Sequence, residues 1–140
     1  MADIAIFVDS RGGNTRKVAD AIAEELGVSV GDLTAPLPAD TTILFLGSGT
    51  YGSTPGIEMM KFVTDNGFTG RRVALFGTSM TESGAQNMIA AMEDALTRKG
   101  ATVIGRYHCR GRFLVFSRGR PNAEDLDTVK KFARDMLRVG

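Results

Sequence analysis

Short apolar runs with no polar face are the strongest constraint this chain carries. "IAIFV" (4–8) is apolar on both sides and bounded by polar turns, and "TILFLG" (42–47) and "RVALFG" (72–77) read as equally buried strands. A strand without a wet face has to be covered on both sides, which is the condition of a parallel sheet layered between helices. The segments between the runs supply the helices. Val18, Ala19, Ile22, Ala23 and Leu26 mark one helical face that stops at Gly27. Ile57, Met60 and Val63 predict a short helix ending near Asn66–Gly67, and Met88, Ile89, Met92, Ala95 and Leu96 a longer one ending at Gly100. Pro121 and Asn122 open a last helix with the face Leu126, Val129, Ala133, Met136 and Leu137, and Asn122 with Asp125 is spaced as a capping box. "VSV" (28–30) reads as a short second strand and "TVIGRY" (102–107) as a fifth, while "FLVFS" (113–117) either extends that fifth strand or forms an edge. The expectation is an α/β fold with a doubly wound, five-stranded parallel sheet, in a single domain over residues 1–140.

Composition removes several classes of function. At 43% hydrophobic the chain is not a disordered segment, and no apolar run approaches the roughly 18 residues that cross a bilayer. "MADIAIFVDS" has no basic leader and Asp3 interrupts it, so neither a signal peptide nor a membrane partner is expected. Cys109 is the only cysteine, which excludes an internal disulfide and fits a cytoplasmic protein. Seventeen basic against 16 acidic residues give no argument for nucleic acid. With one His and one Cys, no zinc site of the usual kind can be assembled in one chain.

Three strand-ending loops share one composition: "DSRGGNT" (9–15), "GSGTYGST" (47–54) and "GTSMTESG" (77–84). Each is built from Gly, Ser and Thr, the residues of ordinary turns and also the residues that offer backbone N–H groups and hydroxyls with little bulk. In a doubly wound sheet such loops meet at the carboxyl edge, where ligands bind. The first runs straight into a helix N-terminus, which favours an anion. A phosphate would be held by Ser10, Asn14 and Thr15 with the N–H groups of residues 11 to 15. Two other phosphate motifs fail. "GSGTYG" (47–52) satisfies the dinucleotide pattern literally but follows the wrong strand and lacks the acid at the end of the next one, and no Gly-Lys pair exists for an ATP loop.

With these loops in view, the chain resembles the flavodoxins over its whole length. "SRGGNT" is similar to their phosphate loop, usually written S/T-x-T-G-N-T, and keeps Ser10, Gly13, Asn14 and Thr15. "SGTYG" resembles the second loop, where an aromatic residue stacks on the flavin, and "FGTSM" stands where the third flavin loop falls. "GRPNAEDLDTVKKFARDML" looks like the closing segment of the short-chain members. The resemblance implies the strand order 2-1-3-4-5 and non-covalent FMN. The cofactor-binding residues it implies are Ser10, Arg11, Gly12, Gly13, Asn14 and Thr15 in the first loop. In the second they are Ser48, Gly49, Thr50, Tyr51 and Gly52, with Tyr51 as the stacking ring, and in the third Thr78, Ser79 and Met80.

The resemblance further implies a monomeric electron carrier, without catalytic residues or metal, that moves single electrons between a reductase donor and an acceptor enzyme through quinone, semiquinone and hydroquinone states. The Gly52 carbonyl would turn toward flavin N5–H when the semiquinone forms, a change that glycine makes cheaply. Four features depart from the pattern. The net charge is +1, where flavodoxins are usually strongly acidic. Arg11 replaces a small polar residue and either pairs with phosphate or is solvated; Met80 either covers the ring or belongs to the core. "YHCRGRF" (107–113) is basic, and its His108 and Cys109 are either neighbours of the flavin or structural. These features imply a less negative hydroquinone potential and a partner that is not basic-faced. They leave two alternatives, a small FMN-dependent NAD(P)H reductase and an activator flavoprotein of the ribonucleotide-reductase type, whose basic surroundings match Arg11, Arg110 and Arg112. A phosphorylated receiver domain is disfavoured because Asp9 lacks the paired acids such a domain needs.

Overall fold

The computed structural model describes residues 3–110 and 120–139. The elements in chain order are β1 (Asp3–Asp9), α1 (Asn14–Leu26), β2 (Thr41–Gly49), α2 (Ile57–Asp65), β3 (Arg72–Ser79), α3 (Glu82–Arg98), β4 (Thr102–Arg110) and α4 (Ala123–Val139). The strands form a parallel sheet in the order β1-β2-β3-β4. "FLVFS" (113–117) and residues 111–113 of the basic segment lie outside the described residues.

The two-sided apolar strands do what their composition requires. Along β2, Ile43 and Phe45 enter one core cluster while Leu44 and Leu46 enter the other; along β3, Ala74 and Phe76 part in the same way from Val73 and Leu75. Helices α1 and α4 close the first face through Val18, Ile22, Val129, Ala133 and Met136. Helices α2 and α3 close the second through Met59, Phe62, Met88, Met92 and Leu96. Each fully buried Val, Leu, Ile, Phe or Met among them contributes about 1.5–3 kcal/mol. Asn122 and Asp125 form the expected reciprocal cap: each backbone N–H donates to the other's side chain at 2.9 Å.

Three expectations are corrected. Among the described residues the sheet has four strands and not five in the order 2-1-3-4-5, because the "VSV" segment contributes only one parallel bridge, Ile6 to Val30. After it, the Asp32 carboxylate takes both the N–H and the hydroxyl of Thr34 in a local turn, so the chain leaves the sheet instead of extending the ladder. The face of α2 is Met59, Phe62 and Val63, with Met60 partly buried against it; of the expected residues Ile57 does not belong to it, being 72% exposed. Leu137 is 37% exposed, because α4 runs a last turn beyond the layer that Met136 packs against. No helix among the described residues is long and apolar enough to cross a membrane.

The chain leaves β1 through α1 toward the Val30 side and leaves β2 through α2 toward β3. Crossovers that depart in opposite directions open a crevice at the carboxyl ends of β1 and β2, the place where doubly wound sheets bind ligands.

Candidate functional site

The first loop turns at Gly13, which sits at φ +86° before α1, a conformation that L side chains rarely adopt. Its N–H donates to Ser10 Oγ at 3.1 Å, an i to i+3 tie that closes the loop over residues 10–13. The N-cap residue is Gly13, which has no side chain to cap α1, and the N-terminal end of the helix dipole faces the crevice. Thr15, on the first turn, is buried, and its Oγ1 lies 2.7 Å from Thr78 Oγ1.

The second loop is a tight turn on two anchors. Tyr51 N–H donates to Thr54 O at 2.9 Å and Thr54 N–H returns the bond to Tyr51 O. Gly52 and Ser53 between them sit at φ +63° and +64°, the signature of a type I′ turn. On one side, Thr50 Oγ1 donates to the Thr78 carbonyl at 3.0 Å. On the other, Gly56 N–H donates to Ser48 Oγ at 2.8 Å, and the buried Asp9 carboxylate accepts from Met59 N–H at 3.0 Å. Asp9 thus caps α2 from the end of another strand. Its carboxylate lies so close that a Cβ on Gly56 would stand 2.0 Å from Oδ2.

Thr78 and Ser79 end β3, and the third loop passes Met80 to Thr81, whose side chain caps α3 by accepting from Gly84 N–H at 3.1 Å. Met80 is not core; it is 41% exposed.

The three loops enclose one cavity of about 460 Å³. It is lined by Ser10, Arg11, Gly12, Asn14 and Thr15, by Gly49, Thr50, Tyr51 and Gly52, and by Thr78, Ser79 and Met80, so twelve of the fourteen residues expected from the sequence meet there. The other two serve the frame. Gly13 supplies the turn, and Ser48 is fully buried, with its hydroxyl shared between Gly56 N–H and Gly49 O. Ser53, Thr81 and Gly84 also line the cavity. They follow the motif residues directly as turn and cap positions, the one signal that marks them in sequence. Among the described residues, Arg11 is the only charged side chain of the lining and no carboxylate pairs with it, a donor set suited to an anion. Arg11 also engages Tyr51: its N–H donates to the phenol oxygen at 2.9 Å, and its guanidinium carbon lies 4.0 Å from the ring centre.

His108 and Cys109 do not line this cavity. With Arg110 they border a separate cleft of about 310 Å³ between β4, α3 and α4. Burial pushes the Cys109 thiol up to about 11, with Tyr107 as its hydrogen-bond partner. Burial likewise pushes the Tyr107 phenol far above its usual range, and its hydroxyl donates to Asp125 O at 2.9 Å. Arg112 lies outside the described residues.

A family model described as a flavodoxin domain matches residues 5–134. The chain is 32% identical over 135 residues to a flavodoxin of Klebsiella pneumoniae, across 79% of this chain and 75% of that protein. It is 25% identical over 136 residues to an uncharacterized protein of Methanocaldococcus jannaschii, across 89% of this chain and 91% of that one. The crystal structure of Fusobacterium nucleatum flavodoxin bound to flavin mononucleotide matches with a TM-score of 0.76 at 17% identity, covering 99% of this chain and 98% of that chain, a likeness of fold. The chain belongs to the flavodoxin family.

Proposed function

We propose that this protein binds FMN in the three-loop cavity and carries single electrons between protein partners in the cytoplasm. The observation that carries the reading is the convergence of three Gly/Ser/Thr loops on one cavity whose described lining includes the Arg11 guanidinium and no carboxylate. FMN, when bound, supplies one- and two-electron chemistry, and the protein supplies position and electrostatics.

The phosphate belongs with the first loop. Ser10 Oγ accepts from Gly13 N–H and so keeps its own proton to donate. Thr15 and the N-terminal end of α1 add further donors, and Arg11 adds charge. The ring belongs between the second and third loops, with Tyr51 on one side and the half-exposed Met80 as an adaptable apolar cover. The turn that carries Gly52 is held at Thr50 and Gly56, so its peptides can reorient while its ends stay fixed. Arg11, the sole charge of the lining among the described residues, favours an acidic partner face, which also suits the activator reading.

The test is an anaerobic reductive titration of the FMN-loaded protein. A well-populated one-electron state and no direct reduction by NADPH are expected. Direct two-electron reduction by NADPH would replace this reading with the reductase.

A further inference from the structure

Thr78 is the one residue on which all three loops meet. Its side-chain oxygen lies 2.7 Å from that of Thr15 in the first loop, its carbonyl accepts from Thr50 Oγ1 in the second, and the chain continues from it into the third. Thr15 and Thr78 are 1% and 4% exposed, and both line the cavity.

Two hydroxyls at this separation share one proton, and its direction decides what Thr15 shows to the cavity. If Thr15 donates to Thr78, Thr15 presents lone pairs, which repel an anion. If Thr78 donates to Thr15, the Thr15 proton remains free for the cavity, and the incoming bond polarises it further. An anion in the first loop selects the second arrangement.

We propose that Thr78 is a positioning residue for the phosphate monoester of the ligand, its hydroxyl donating to Thr15 Oγ1 so that the Thr15 hydroxyl donates to phosphate. The proposal rests on the FMN reading above and adds a residue that acts through another. Thr78→Val keeps the shape and removes the donor; Thr78→Ser keeps the donor.

The experiment measures dissociation constants of FMN and of riboflavin, which lacks the phosphate, by flavin fluorescence for the wild type and both variants. Loss of one hydrogen bond to a charged acceptor, felt through a relay, sets the expected change: Thr78→Val weakens FMN binding about tenfold and leaves riboflavin within about twofold. Thr78→Ser matches the wild type for both. In a Thr15→Val background, Thr78→Val causes no further loss for FMN. Equal weakening of both flavins by Thr78→Val overturns the proposal in favour of a packing role, and so does undiminished FMN binding. Thr78→Ala makes the same comparison if the Val variant does not fold. A wild type that binds neither flavin overturns the FMN reading and this proposal with it, a result distinct from a failure of Thr78 alone.

Discussion

Arg11 holds Tyr51 at two points, by its backbone N–H on the phenol oxygen and by its guanidinium over the ring face. A flat ligand that takes this face of Tyr51 displaces the guanidinium, which is worth about 0.5–1 kcal/mol there. Arg11→Ala removes that competition and also removes the only charge of the cavity lining among the described residues. Riboflavin binding is expected to tighten about two- to fivefold. FMN binding is expected to weaken at low salt, with a deficit that shrinks as salt screens the lost charge. Flavin fluorescence titrations at two ionic strengths check both.

Gly56 is held to glycine by the Asp9 carboxylate. A Cβ there would stand 2.0 Å from Oδ2 and drive the carboxylate from the Met59 N–H. Overpacking and a lost cap together predict a cost of about 2–3 kcal/mol for Gly56→Ala. Asp9→Gly vacates that space. The double variant is therefore expected to cost clearly less than the sum of the single ones in urea denaturation.

Gly52 and Ser53 sit side by side in left-handed conformations, yet only Gly52 is adapted to one. Gly52→Ala adds strain of about 1–2 kcal/mol and hinders the turn of the neighbouring peptide. Lower thermal stability and a smaller yield of one-electron-reduced flavin are expected, and an unchanged yield would count against the role given to this turn. Ser53→Gly relieves the same strain and is expected to raise stability by about 0.5–1 kcal/mol.

Asp125 links stability to pH. Burial alone would raise its carboxyl, but the Arg120 guanidinium, at 2.5 and 2.8 Å, and the Asn122 N–H outweigh that and hold it below the ordinary value of 3.8. A carboxyl depressed in the folded state adds stability that is full above the unfolded value and is lost as pH falls through the folded one. Asp125→Asn is expected to melt lower than the wild type near pH 7, with the gap closing below about pH 4. Melting curves across that range decide it.

Cys109 should be inert. With the thiol raised to about 11 and buried, little thiolate forms near neutrality. Modification by an aromatic disulfide reagent at pH 8 is expected to proceed at the rate of unfolding and to accelerate sharply in urea. A fast reaction in the native protein would contradict the burial.

Much of the fold was legible because local pattern and tertiary environment agree. The alternation of Ile43 and Phe45 against Leu44 and Leu46 follows from the pleat alone, and the stripe of α1 follows from its 3.6-residue period. The three loops were legible because each lies at the end of a strand that composition identifies. The rest depended on neighbours distant in sequence. Val30 ends as a bridge because Asp32 turns the chain, and Ile57 faces solvent because Asp9 fixes the start of α2. Ser48 and Thr50 look alike in sequence, but one supports the turn from inside and the other lines the cavity. His108 and Cys109 stand on β4 in register with Gly77 and Thr78 and yet open onto another cleft.

The cap on α2 also sets an order of assembly. Nine residues are too few to hold a helix alone in water. The groups that secure its start, Asp9 and Ser48, stand opposite each other only once β1 and β2 are paired in register. The turn between β2 and α2 therefore takes its shape after that pairing, whereas the loop between β1 and α1 closes on its own through Ser10 and Gly13. The first loop is thus tied by contacts within itself, and the second by contacts that need two paired strands.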